Sequence, residues 1–350
     1  MKTERLDAEN AEDVARAAMI LRGGGTVAFP TETVYGLGAN ALDVQAVEKI
    51  FIAKQRPHWD PLIVHVADET MLVRVVKMPV GATAERLMAR FWPGPLTLLL
   101  PRADVVPHAI TAGRSLVGVR MPAHAVARAL IAAAGVPIAA PSANRFGHTS
   151  PTTAEHVLAD LDGRIDAVLD GGPTPVGVES TVAGVDEQGI VIYRAGAVDP
   201  GTESEFSDLW VRAYVPEAGL SAPESLPSPG VGMRHYAPRA RLTLVGGVGA
   251  EAISRRRGSL ELSLIDAIAS APGDTKTVGV MLPDGWQGGG VEMAFPWGPW
   301  GDGEVLARRL FAGLRALDDA GAAVILCPVP EMGGIGEAIR DRLEKAARPR

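Results

Sequence analysis

Two stretches of alternating strand and helix, parted by one irregular proline-rich segment, constrain this chain more than any single figure of composition. Proline recurs at positions 200, 216, 223, 227, 229 and 238. Apolar periodicity is lost over the same stretch, which reads as a linker, although a long one for a passive role. Long irregular segments are often functional, so residues 225–238 are a candidate lid over an active site. The expected organisation is residues 1–200 as one domain, 201–239 as the linker and 240–350 as a smaller domain. A chain of 350 residues is long enough for two cores.

Within the first part, residues 11–22 read as a helix closed by Gly23, followed by a strand in TVAFP. Residues 44–53 read as a helix with Val44, Val47, Ile50 and Phe51 on one side. PLIVHV at 61–66, LTLLL at 96–100 and residues 116–121 are strand-like, with a helix at 82–91. An Ala-rich helix at 123–134 can close on Gly135, and the short strand PIAA leads to Pro141. Ser150–Pro151 reads as a helix start, with serine at the N-cap and proline in the first turn. Strands at 166–169, 180–185 and 190–194 complete this part. Beyond the linker, RLTLVGG, TVGVMLP and AVILCPV read as strands, and the helix 304–320 places Leu306, Leu310, Leu314 and Leu317 on one face. Strand–helix alternation there indicates a parallel α/β domain.

The formal net charge is −7, with 18 Lys+Arg against 22 Asp+Glu in residues 1–200. Neither half is basic, and tight nucleic-acid binding is mostly phosphate neutralisation, so composition speaks against direct tRNA or other RNA binding. Cys327 is the only cysteine. No intramolecular disulfide is then possible, and the charged start MKTERLDAENAEDV has no apolar signal region; a cytoplasmic address is expected. No apolar run reaches the length of about 20 residues that a membrane span needs.

Four clusters carry residues suited to chemistry. PTETVYGLG (30–38) ends a strand in hydroxyls before a glycine turn. KQRP (54–57) is followed by Asp60 and by His65 on a strand; the cations can serve a helix C-terminus or clamp a phosphate. His65 in an apolar strand reads first as a satisfied core histidine. SLVGVRMP (115–122) ends a strand in Arg120, which can take a carboxylate bidentately. APSANRFGHTSPT (140–152) packs Ser142, Asn144 and Ser150 around tight turns. GVESTV and IYRAG again put hydroxyls and Arg194 at strand ends. Each cluster alone has a plain structural account. Walker A, HExxH, CxxC and GxSxG patterns are absent, and GGVGA at 246–250 is only a weak echo of the dinucleotide fingerprint. Cys327 lies in an apolar strand and reads as core. Any catalysis would rest on positioning and charge stabilisation rather than on a protein nucleophile.

Taken in order, PTETVYGLG, KQRPHWDPLIVH, FWPGPLT, VRMP, APSAN, SPT and ESTV resemble the YrdC-like domain of the threonylcarbamoyl-AMP synthase family in its two-domain form. SPGVGMRHYAP in the linker and GGIGEAIRDRLEKAA near the end are similar to that family's linker and last helix. The resemblance implies an α/β fold: an open twisted YrdC-like domain with a concave cavity, and a smaller Rossmann-like domain. It implies ATP-dependent synthesis of L-threonylcarbamoyl-adenylate from L-threonine and bicarbonate or CO2, with pyrophosphate release, for tRNA modification. The product would be handed to the tRNA threonylcarbamoyl transferase. Lys54 and Arg56 would hold the ATP phosphates with catalytic effect, helped by Asp60, Ser142, Asn144 and Ser150, while Arg194 and Tyr236 would contact the nucleotide. Thr33, His65, Arg120, Ala140, Ser180 and Thr181 would hold threonine. Mg²⁺ would come with the ATP phosphates, without direct protein ligands. Asp60 stands where the family usually has Asn, which adds a negative charge near the phosphates unless it helps to hold the metal.

The rival reading is an RNA-binding or ribosome-assembly module using the same concave surface. A second is a carbamoyl-transfer or hydrogenase-maturation enzyme of the same fold, but the zinc-finger and acylphosphatase-like segments of such chains are not visible here.

Overall fold

In the first part of the chain, helix ends and strand partners are dictated by local chemistry that can be read residue by residue. The structure, a computed structural model, describes residues 2–215, 226–228, 235–246, 257–271 and 275–349. The helix Ala11–Arg22 starts where the Asn10 side chain accepts from the Glu12 amide, with Glu12 and Asp13 in its first turn. The helix Val44–Lys54 starts on Asp43, whose side chain accepts from the amides of Gln45 and Ala46. Its end is a Schellman motif: the Gln55 amide donates to Ile52 O and the Arg56 amide to Phe51 O at 3.0 Å. Gln55 takes a left-handed φ of 54° to do so. Val47, Ile50 and Phe51 are buried as expected, but Val44 is 60% exposed. It is the first helical residue, and the apolar stripe begins one turn later.

The chain clusters into two compact units. The first comprises Met1–Phe146, Ser150–Pro175 and Glu179–Gly232, and the second Gly147–Thr149, Val176–Val178 and Met233–Arg350. Among the described residues, the first unit carries an eleven-stranded mixed sheet. Its order is Glu4–Asp7, Ala167–Asp170, Val27–Phe29, Gly36–Asn40, Ile138–Ala139, Ile63–His65, Leu116–Arg120, Leu96–Pro101, Thr181–Asp186, Gly189–Arg194 and Trp210–Ala213. The core is a continuous cluster of buried aliphatic side chains and Phe29, Phe51 and Phe91. Proline-rich sequence does not end this unit at residue 200. Trp210–Ala213 pairs in parallel with Gly189–Arg194, and Phe206 stacks on Phe91 with centroids 5.9 Å apart. The sequence hid this strand because it is a half-exposed edge with little apolar alternation.

Among the described residues, the second unit holds four parallel strands in the order Arg241–Val245, Val324–Pro328, Val278–Pro283 and Met293–Gly298. Leu306, Leu310, Leu314 and Leu317 of the helix Gly303–Asp319 are all buried. Cys327 is a buried free thiol, held above the ordinary range by burial. No helix among the described residues is long and apolar enough to cross a membrane. Residues 225 and 229–234 of the candidate lid, and residues 247–250 of the GGVGA segment, lie outside the described residues.

Candidate active site

The strand Ile63–His65 runs parallel to Leu116–Arg120 with His65 beside Arg120, so both side chains stand at the carboxyl ends of neighbouring strands. That is where open α/β sheets place their ligands. Arg120 is 3% exposed. Its Nε donates to Gly94 O at 3.1 Å and its Nη1 to Thr33 Oγ1 at 2.9 Å. Nη2 makes an ion contact with Glu32 Oε1 at 2.7 Å. Thr33 Oγ1 also shares a 2.8 Å hydrogen bond with Thr31 Oγ1. Burial pushes the Glu32 carboxyl up, but the charge and close contact of Arg120, with the Ala123 amide at 3.1 Å, outweigh it and hold the group below the usual range.

His65 is not the satisfied core histidine that its strand suggests. Its ring is buried edge-on to Phe29, and Nδ1 has no hydrogen-bond partner. Burial and the charge of Arg120 push it down to about 3, so the imidazole is neutral at physiological pH.

Lys54 is 1% exposed rather than solvated at a helix end. Its Nζ donates to the carbonyls of Ser142 and Asn144. Burial, and then the neighbouring Arg56, hold its ammonium well below the usual lysine range. Arg56 Nε donates to Asp60 O at 3.1 Å and Nη2 to Pro61 O at 2.7 Å. Nη2 also pairs with Asp60 Oδ2 at 2.9 Å, and the guanidinium lies 5.8 Å from the Phe146 ring centre. Asp60 Oδ1 is buried without a hydrogen-bond partner. Burial raises the Asp60 carboxyl, and Arg56, Lys54 and Arg194 oppose the rise without cancelling it.

A β-bulge between Ile192 and Arg194 re-aims Arg194. It donates to Ser180 O from Nε at 3.1 Å and from Nη2 at 2.9 Å, and to Ser180 Oγ at 3.1 Å. Ser180 Oγ in turn shares a 2.8 Å hydrogen bond with Thr97 Oγ1. Thr181 opens its strand beside Leu96, and its hydroxyl donates to Val198 O. The Ala140 amide donates to Ile63 O at 2.8 Å, fixing the APSAN loop on the sheet, and Gly36 bridges to Ser142.

Ser150 does not cap a helix. The helix Ala154–Leu161 starts three residues later, on Thr153, whose hydroxyl accepts from the His156 amide. Ser150 Oγ instead donates to Glu179 Oε1 at 2.5 Å. A second serine or threonine nearby outcompeted it for the cap, and a buried carboxylate claimed its proton. Tyr236 lies in the second unit with its ring 1% exposed, stacked on Phe311 at 5.8 Å and lying 5.0 Å from the Arg342 guanidinium.

Sequence reading passed over Glu32 and Glu179. Both stand inside motifs that were singled out for their hydroxyls. A carboxylate between threonines, in a segment too apolar to leave it solvated, was the signal for Glu32. Among the described residues, no group of three or more His, Cys, Asp or Glu side chains is arranged to hold a metal.

Comparison with known proteins covers both units. Residues 19–196 match a family model described as "Telomere recombination", and residues 204–348 match one described as "Threonylcarbamoyl-AMP synthase, C-terminal domain". A threonylcarbamoyl-AMP synthase of Pyrococcus abyssi is 44% identical over 332 residues, covering 95% of this chain and 93% of that protein. One from Bacillus subtilis is 41% identical over 97% of this chain and 94% of its own length. The crystal structure of P. abyssi Sua5 complexed with L-threonine superposes with a TM-score of 0.88 at 40% identity, covering 99% of this chain and 98% of that one.

Proposed function

The chain belongs to the threonylcarbamoyl-AMP synthase family, and from that premise we propose that it makes L-threonylcarbamoyl-adenylate from L-threonine, bicarbonate or CO2, and ATP, with release of pyrophosphate. The observation that carries the reading is the pairing of two buried charge clusters in one unit. Arg120 with Glu32, Thr33 and His65 suits a small zwitterion, and Lys54 with Arg56 and Arg194 suits a phosphate chain. Desolvated charges cost stability unless compensated, so a ligand role is the better account of burying both clusters.

The threonine amine attacks the carbon of CO2, forming a C–N bond and, after loss of a proton, N-carboxythreonine. Its new carboxylate oxygen attacks the α-phosphorus of ATP, and the bond to the β-phosphate bridging oxygen breaks to release pyrophosphate. Arg120 holds the threonine carboxylate, with Thr33, His65, Ala140, Ser180 and Thr181 around the rest of the amino acid. Lys54 and Arg56 stabilise charge on the phosphate oxygens, assisted by Ser142, Asn144 and Ser150, with Arg194 towards the nucleotide. Such a transfer depends on alignment, worth about 7–11 kcal/mol when reactants are held in register, and on preorganised charge. Bound with the triphosphate, Mg²⁺ would supply charge neutralisation at the phosphate oxygens. The donor set fits a metal carried mainly by the nucleotide: of the carboxylates that act on Lys54, Asp60 spends its Oδ2 on Arg56 while its Oδ1 is left over. The adenylate would pass to a tRNA threonylcarbamoyl transferase.

Pyrophosphate release from ATP, with threonine and bicarbonate each omitted in turn, tests the reading. Release is expected only with both present, and a mass spectrum should then show the adenylate. Release without threonine would replace the acceptor, and no release, with salt-sensitive RNA binding instead, would move the function to the RNA-binding module.

A further inference from the structure

Three buried polar atoms at one strand mouth have no hydrogen-bond partner: Glu32 Oε2, Arg120 Nη2 and His65 Nδ1. Buried polar groups in folded proteins are nearly always paired, so a cluster of unpaired ones marks where a ligand completes the pairing. The three belong together. Glu32 Oε1 is 2.7 Å from Arg120 Nη2, close enough for an ion pair but out of hydrogen-bond alignment, and His65 stands beside Arg120 in the sheet register. Glu32 Oε1 is already spent on Arg120 and on the Ala123 amide at 3.1 Å, which fixes the carboxylate plane and leaves Oε2 with nothing to accept. Residue Glu32 is 8% exposed, so water is a poor substitute.

An α-amino acid carries its carboxylate and amino group on one carbon. It therefore needs a donor and an acceptor side by side, which is the arrangement of Arg120 Nη2 and Glu32 Oε2. We propose that Glu32 is a specificity-determining residue, whose Oε2 accepts from the substrate α-amino group while Arg120 takes the α-carboxylate. The proposal rests on the reading of Arg120 as the carboxylate partner given above. It assigns selection for the amino group to a carboxylate that would otherwise repel the substrate's own carboxylate. Acids without the amino group are then rejected by charge as well as by a missing hydrogen bond. A hydrogen bond to an ionised group, once lost, weakens binding by about 10- to 100-fold.

Glu32→Gln is the test, because the amide keeps the shape. Its carbonyl oxygen is held towards Arg120 and Ala123, since the NH2 group would meet donors there, so a donor replaces the Oε2 acceptor. Calorimetry would compare L-threonine with 3-hydroxybutanoate, which is threonine without its α-amino group. Wild-type protein should prefer threonine by about 10- to 100-fold, and E32Q should lose most of that preference, raising the KM for threonine but not for ATP. Glu32→Asp, one methylene shorter and still charged, should be intermediate, and it carries the comparison if E32Q does not fold. Wild-type protein that binds no threonine would overturn the proposed function. Wild-type protein that binds threonine, alongside a folded variant that keeps the full preference, would overturn this inference alone.

Discussion

The two ends of the proposed site both bury charge and balance it differently. At the amino-acid end Arg120 faces Glu32 at 2.7 Å, one cation to one carboxylate, and the pair holds Glu32 ionised despite burial. At the phosphate end three cations, Lys54, Arg56 and Arg194, act on the Asp60 carboxylate, and burial still wins there, while Asp160 also acts on Lys54. Lys54 is depressed first by burial and then by the charge of Arg56. One end is complete in charge and short of hydrogen-bond partners, which suits a neutral zwitterion. The other gathers three buried cations in low dielectric, which suits a polyanion. Burial multiplies whichever charge is left over, so the difference sorts the substrates.

The largest expected effect comes from breaking the phosphate end. Arg56→Ala removes a phosphate partner and strands Asp60, so two measurements should move. Turnover should fall by about a hundred- to a thousandfold, by analogy with a lost preorganised donor. Thermal unfolding without ligand should report a loss of about 3–5 kcal/mol, the cost of leaving one member of a buried ion pair alone. Normal turnover in a destabilised protein would take Arg56 out of the clamp and leave it a structural partner of Asp60.

How much of this was legible beforehand differs between fold and site. Helices with caps and stripes, such as Ala11–Arg22 and Gly303–Asp319, were placed within a residue or two because their signals are local. Trp210–Ala213 was not, since its pairing partner lies some twenty residues earlier and its own faces are half-exposed. At the site, motif order suggested a residue set, and within it Lys54, Arg56, Arg120 and Arg194 are all buried. What residue types could not convey was who neutralises whom. Glu32 looked like one more polar residue among threonines, and Ser150 looked like a cap, because partners 88 and 29 residues away along the chain decide both roles.

An intermediate effect tests the neutrality of the amino-acid end through pH. An unfolded chain protonates His65 near 6.5, whereas the folded protein resists until about 3. Stability from the neutral ring is therefore fully present above pH 6.5 and drains as pH falls towards 3, amounting to roughly 3 kcal/mol by pH 4. Glu32 adds a loss in the same direction that sets in only as pH falls below the ordinary carboxylate range, because its folded carboxyl is depressed. Lys54 contributes in the opposite region: its burial penalty is felt at neutral pH and relieved only as pH rises towards the ordinary lysine range. Melting curves of His65→Asn should be flatter between pH 6.5 and 4 than those of the wild type. An unchanged acid limb would show that another group carries it and that the imidazole is not the buried neutral partner described.

The smallest effect is the most discriminating, because it bears on Asp60, the buried carboxylate paired with Arg56. Asp60 is ion-paired at 2.9 Å, yet the net pull on its carboxyl is upward, so its surroundings do not favour the charge they contain. Replacing it with the neutral isostere should cost little: Asp60→Asn keeps an oxygen for Arg56, which also retains the carbonyls of Asp60 and Pro61. Stability should stay within about 1 kcal/mol of the wild type, since a group whose pKa is raised on folding adds nothing in its ionised form. ATP should bind a few-fold tighter, because one negative charge beside the phosphates is gone and Arg56 is freed towards them. Calorimetric titration with ATP, with and without Mg²⁺, separates the outcomes. Tighter binding in both conditions would make Asp60 a charge damper that tunes the clamp. Weaker binding only when Mg²⁺ is present would mean that the unpartnered Oδ1 meets the metal, and the phosphate end would then owe part of its selectivity to a carboxylate rather than to its cations.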